Sequence, residues 1–137
     1  MTKEEAATEL TELFPEKATA LAQHYADYGN QLLGHLFFAD EINLPLIHLL
    51  RSNTDKPTIQ KYCSFIERMY AMGDEDVKNV VDVTIVEQLS DEELIWFRFG
   101  TYLSNDFIRE INTVILPQNS MISSVPHLPY RRRRAKP

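Results

Sequence analysis

A single cysteine is all that the 137 residues contain, so no internal disulfide can form. Cys63 sits with Ile59, Tyr62, Ile66, Met69 and Tyr70 on one apolar helix face, which predicts a small buried hydrophobe rather than a reactive thiol. Long apolar runs are missing too: none approaches the ~20 residues of a membrane span, and Met1 to Leu10 has no apolar signal core. A cytoplasmic protein with no membrane role is expected. Catalytic motifs are absent as well, since there is no glycine-rich phosphate loop, no Gly-x-Ser-x-Gly elbow and no Cys-x-x-Cys pair. The histidines at 24, 35, 48 and 127 have no metal-ligand partners at suitable spacing. Asp40 and Glu41 lack a histidine at i+3 or i+4, and Asp74, Glu75 and Asp76 lack the alternating oxygens and glycine of a calcium loop. These absences predict no metal, no cofactor and a non-enzymatic protein.

What the chain does have is charge, unevenly placed. Its formal net charge is −6, yet Arg131, Arg132, Arg133, Arg134 and Lys136 crowd the last seven residues, and without these five cations the rest carries −11. Such a body repels nucleic acid, except through the tail, and suits a basic protein partner. Plain solubility is the competing explanation.

The helix signals are local and frequent. Thr2 with Glu5 makes a capping box for a first helix to about Phe14; Pro15 opens a second that stops near Tyr28, Gly29 and Asn30. From Leu32 to Leu50 the chain is so apolar that this segment is expected to be the most buried element, kinked or divided at Pro45. Asp55 and Pro57 predict the start of a fourth helix that Gly73 ends in the left-handed conformation, with Asp74 capping a fifth to Gln88. The valine-rich run 80–86 also fits a strand, but Val77, Val81, Thr84, Ile85 and Leu89 fall on one helical face. Ser90 with Glu93 predicts another capping box for a sixth helix through Tyr102, and Ser104 or Asn105 starts a last one that Pro117 ends. The result is an all-α single domain of antiparallel helix pairs over 1–116, HEAT-like or an irregular bundle, and a Pro/Arg-rich tail over 117–137 that is flexible unless it docks.

Candidate site residues stand out by position. His24 with Asp27 and Tyr28 lies at a helix end, where a histidine can bond free carbonyls or serve chemistry. His35, among Leu33, Leu36 and Phe38, reads as a hydrogen-bonded core residue. Asn79 and Asp82 are i, i+3 neighbours between valines, suited either to satisfying backbone groups or to a partner. Glu87 opposes its helix dipole, which predicts a histidine or arginine partner.

Tyr25-Ala-Asp-Tyr-Gly29, Leu33-x-His35-Leu36-x-Phe38 and Gly73-Asp-Glu-Asp-Val77-x-Asn79-x-Val81-x-Val83-x-x-Val86-Glu87-x-Leu89 together resemble a family of small uncharacterised bacterial all-helical proteins, over about residues 10 to 115. That family is similar in size, acidity and layout to the immunity proteins of polymorphic-toxin systems. The resemblance implies a toxin domain as partner, neutralised through an acidic surface. Tyr25, Asp27, Tyr28, Asn79, Asp82 and Glu87 are the expected anchors. Two other classes are open: a small ligand-binding protein or enzyme with His24 or His35 and an acid in a pocket, and an adaptor that uses Arg131 to Arg134.

Overall fold

Thr2 opens the first helix as its spacing to Glu5 predicts. Its hydroxyl accepts the Glu5 amide at 3.1 Å while the Glu5 carboxylate accepts the Thr2 amide at 3.2 Å, a reciprocal cap that stabilises a helix start by about 1 kcal/mol. The computed structural model describes residues 1–132 and shows one all-helical domain, with no strand among the described residues. The helices are α1 (Lys3–Leu13), α2 (Ala18–Asp27), α3 (Gly34–Phe38), α4 (Leu44–Ser52), α5 (Lys56–Met72), α6 (Glu75–Val80), α7 (Glu87–Leu89), α8 (Glu93–Gly100), α9 (Asn105–Glu110) and α10 (Leu116–Gln118). A 3₁₀ turn, Pro15–Lys17, leads into α2.

Three of these joints are π turns, with i→i+5 bonding: Ala39–Asn43 joins α3 to α4, Val81–Val86 joins α6 to α7, and Ile111–Ile115 joins α9 to α10. Two of them explain how prolines enter helical rods. In an α-helix the ring of Pro45 would strike the Glu41 carbonyl, and that of Pro117 the Thr113 carbonyl. Each proline follows a π turn by two residues, where the widened turn displaces that carbonyl and the missing N–H breaks no α ladder. Pro117 therefore does not end its rod, which continues to Gln118. The valine-rich run is helical throughout, and its π turn buries Val81, Ile85 and Val86 together.

The apolar segment from Leu32 to Leu50 is not the buried centre. Leu33 and Leu36 are each 40% exposed and Leu44 is 58% exposed. The central place belongs to α5, which packs on α1, α4, α6 and the π turn Val81–Val86, and buries Ile59, Tyr62, Cys63, Phe65, Ile66 and Met69. Cys63 is the buried hydrophobe expected of it, and burial pushes its thiol far above the ordinary range.

Local details differ from expectation where tertiary contacts intervene. Gly73 is extended (φ −71°, ψ 151°), not left-handed; glycine is required because a Cβ would lie 2.3 Å from the Met69 carbonyl and 2.5 Å from Val77. Asp55 stands at the α5 N-cap with φ 53°, but its carboxylate accepts from the Thr58 hydroxyl at 2.7 Å rather than from an amide. Ser90 stays in the last turn after α7, so its hydroxyl donates back to the Glu87 carbonyl, and Glu92 becomes the N-cap residue of α8. Ser104 caps α9 as expected, accepting from the Phe107 amide.

The tail docks. Asn112 in the third π turn clasps the backbone of Leu128, donating to its carbonyl at 2.9 Å and accepting its amide at 2.8 Å. Ile122 and Leu128 are buried, and the Trp96 indole donates to the Pro126 carbonyl at 2.8 Å. Asn105 holds the Arg131 backbone in the same two-handed way. Packing thus extends well past position 116. Arg133, Arg134 and Lys136 lie outside the described residues.

Candidate functional site

The candidate anchors separate into two corners and a polar seam. At the first corner, α2 ends at Asp27 and the chain turns through Gly29 (φ 64°) and Asn30 (φ 62°). His24 is buried and its Nε2 accepts the Leu33 amide at 3.0 Å, the opposite polarity from the expected bond to a free carbonyl. An imidazole with Nε2 as acceptor fixes its proton on Nδ1, so His24 serves as a brace for the turn, with the rings of Tyr25, Tyr28 and Phe37 around it. Tyr25 is half-buried against the core. Asp27 is exposed and accepts from Gln23 at 2.8 Å, and Tyr28 is 41% exposed.

The second corner brings Asp82 and Glu87 together. Asn119, just beyond α10, donates one amide group to both, at 3.1 Å and 3.2 Å, and its carbonyl accepts the Met121 amide at 3.1 Å. The partner of Glu87 is therefore an asparagine of the docked segment, not the expected histidine or arginine. Asp82 has its carboxyl raised above the usual range, first by burial and also by the Glu87 charge, with the Asn119 bond acting against both. These two acids are occupied in holding the chain.

Between the corners runs a polar seam where α3 and its π turn face the π turn Val81–Val86. His35 Nδ1 lies 2.6 Å from the Thr84 hydroxyl and its Nε2 3.5 Å from the Asn79 amide. His35 is exposed, not a core residue, because α3 turns this side outward. Asn43 donates to the Thr84 carbonyl at 3.0 Å and to the Gln88 side chain. Its Oδ1 is buried with no hydrogen-bond partner among the described residues. Among the described residues the side chains bonded to His35 are those of Thr84 and Asn79, neither of them a carboxylate.

Asn79 and Asp82 also edge a hollow of about 230 Å³ with Tyr70 and Lys78. The larger grooves, about 810 Å³ between α5 and α9 and about 640 Å³ between α1 and α5, contain none of the six anchors. Among the described residues no group of three or more His, Cys, Asp and Glu is placed to hold a metal ion, and no helix is long and apolar enough to cross a membrane. In the tail, the Arg131 guanidinium bonds the Thr101 carbonyl, whereas Arg132 is exposed.

A family model described as a domain of unknown function, DUF7674, matches residues 7–116. The chain belongs to the DUF7674 family. No curated protein and no solved structure shows significant similarity to it. The family match starts inside α1 and ends on the first residue of α10, so Asn119, Ile122 and Leu128 lie beyond it. Asn43, Asn112 and Asn119 are not among the residues that stand out in the sequence; the first two are polar residues inside apolar helical faces, next to Ile42 and Ile111, and that interruption is their one local signal.

Proposed function

We propose that this DUF7674 protein is a non-enzymatic protein-binding domain of the immunity type, which neutralises a toxin domain by covering it with an acidic surface. The observation that carries this reading is the first corner, where Asp27 and Tyr28 are exposed next to the partly exposed Leu33 and Leu36. An exposed aromatic beside apolar residues is the composition of an interface centre, an acid next to it selects a basic partner surface, and inhibition by occlusion needs no chemistry. The formal charge of −6 favours a basic toxin surface and speeds encounter with it. Asp82 and Glu87 contribute indirectly, by fixing the fold.

Co-expression with a toxin domain sought among the neighbouring genes tests this. Wild-type chain should restore growth and co-purify with the toxin as a complex, whereas Asp27→Lys with Tyr28→Ala should do neither while remaining folded. Growth restored equally by that variant would refute the reading.

A further inference from the structure

The rod α3–α4 presents an outward apolar stripe, and the π turn in its middle aligns that stripe. Over an unbroken α-helix the eight residues from Leu36 to Leu44 would leave the two side chains about 80° apart; absorbing one residue in a wider turn brings them within about 20°. Both leucines are exposed, at 40% and 58%, and Leu33 extends the stripe toward Tyr28. Two exposed leucines on the rod, with Leu33 exposed at its entrance, form a patch of the kind that marks a contact surface, unlike apolar residues scattered singly. Between Leu36 and Leu44 stands Asp40, exposed and in no ion pair among the described residues. Glu41 beside it is spent on Lys17, at 3.4 Å.

We infer that this stripe is the docking face for an amphipathic helix of the partner, one whose apolar side carries a lysine or arginine opposite Asp40. The inference rests on the protein-binding reading and names where and what it binds. A second copy of this chain fits poorly, because two stripes packed about their centres would oppose Asp40 with Asp40. A basic residue in the same place completes an ion pair flanked by leucines. From Leu33 to Leu44 the face is about 16 Å long and ~10 Å wide, well under the ~800 Å² per partner of a standard interface, so the isolated helix binds weakly and the whole partner more tightly.

The test uses two labelled synthetic amphipathic helices that are identical except for lysine or glutamate at the centre of a leucine face. Fluorescence anisotropy with the full chain should show the lysine helix binding about fivefold more tightly than the glutamate helix, the difference expected of one exposed ion pair. Asp40→Lys should invert that order, and Leu44→Asp should abolish binding of both with circular dichroism unchanged. Absence of binding up to ~1 mM, equal affinity for both helices, or an order that Asp40→Lys leaves unchanged would overturn the inference. Self-association of the chain that Leu44→Asp abolishes would overturn it as well. Toxin neutralisation by wild type is scored separately, so a stripe that fails while neutralisation holds removes this inference and leaves the function standing.

Discussion

The two acidic corners of this domain have similar residues and opposite uses. At the α2–α3 turn, Asp27 and Tyr28 face solvent, and the inward group, His24, is the one that braces the chain. At the corner where the π turn Val81–Val86 and α7 meet the end of α10, Asp82 and Glu87 share the Asn119 amide and hold the segment that follows it. A carboxylate with a saturated internal donor is part of the fold; one with only a neighbouring glutamine to bind is available to a partner. Charge alone does not tell them apart, whereas hydrogen-bond bookkeeping does.

The strongest way to break the held corner is to remove the clasp behind it. Asn112→Ala leaves the buried amide and carbonyl of Leu128 without partners, and denaturant unfolding should show a loss of about 2–4 kcal/mol. Trp96, the one tryptophan, bonds the Pro126 carbonyl, so its emission should shift to the red as the segment leaves. Asn119→Ala acts closer to the acids, removing a donor that both share, and should cost about 1–2 kcal/mol with a smaller shift of the same emission.

Acidity sharpens the comparison further. Because the folded-state pKa of Asp82 is raised, its ionised form costs stability above that pKa, and the cost fades as pH falls from the raised value to the ordinary carboxylate range. Asp82→Asn should therefore melt slightly higher than wild type at pH 7, and the gain should vanish in acid; since this carboxylate is partly solvated, screening keeps the effect small. A gain that stays constant with pH would assign it to something other than the charge. Smallest of all, Asp27→Lys should change stability by under about 0.5 kcal/mol, as for other exposed substitutions away from special features.

How much of this was legible follows from the range of each interaction. The Thr2–Glu5 box and the Ser104 cap span three residues, and both formed as their spacing predicts. The helical periods of α5 and of the valine-rich run were equally local. The position of Gly73 predicts a left-handed stop, yet what demands glycine there is a close approach of Met69 and Val77 that only packing creates. Pro45 predicts a divided segment and stands in the first turn of α4, behind the π turn that separates it from α3, whereas Pro117 does not end its rod, because the π turn before it lets the rod continue to Gln118. Docking of the tail depends on Asn112 reaching Leu128 sixteen residues away, a contact with no periodic signal. In the candidate site, Asp27 and Tyr28 were placed correctly at a turn, but nothing near Asp82 in the chain announces Asn119, thirty-seven residues on.

The central claim is that the exposed α2–α3 corner recognises the partner while the Asp82–Glu87–Asn119 corner keeps the fold. Asp27→Lys and Asn119→Ala, measured together for toxin association and for Trp96 emission, test it most directly. Association should fall at least about tenfold for Asp27→Lys, as when a charge in a contact centre is reversed, with emission and melting temperature unchanged. For Asn119→Ala the emission should move and association should persist at temperatures where the domain stays folded. Wild-type association by Asp27→Lys, or loss of association by a folded Asn119→Ala, would contradict the account.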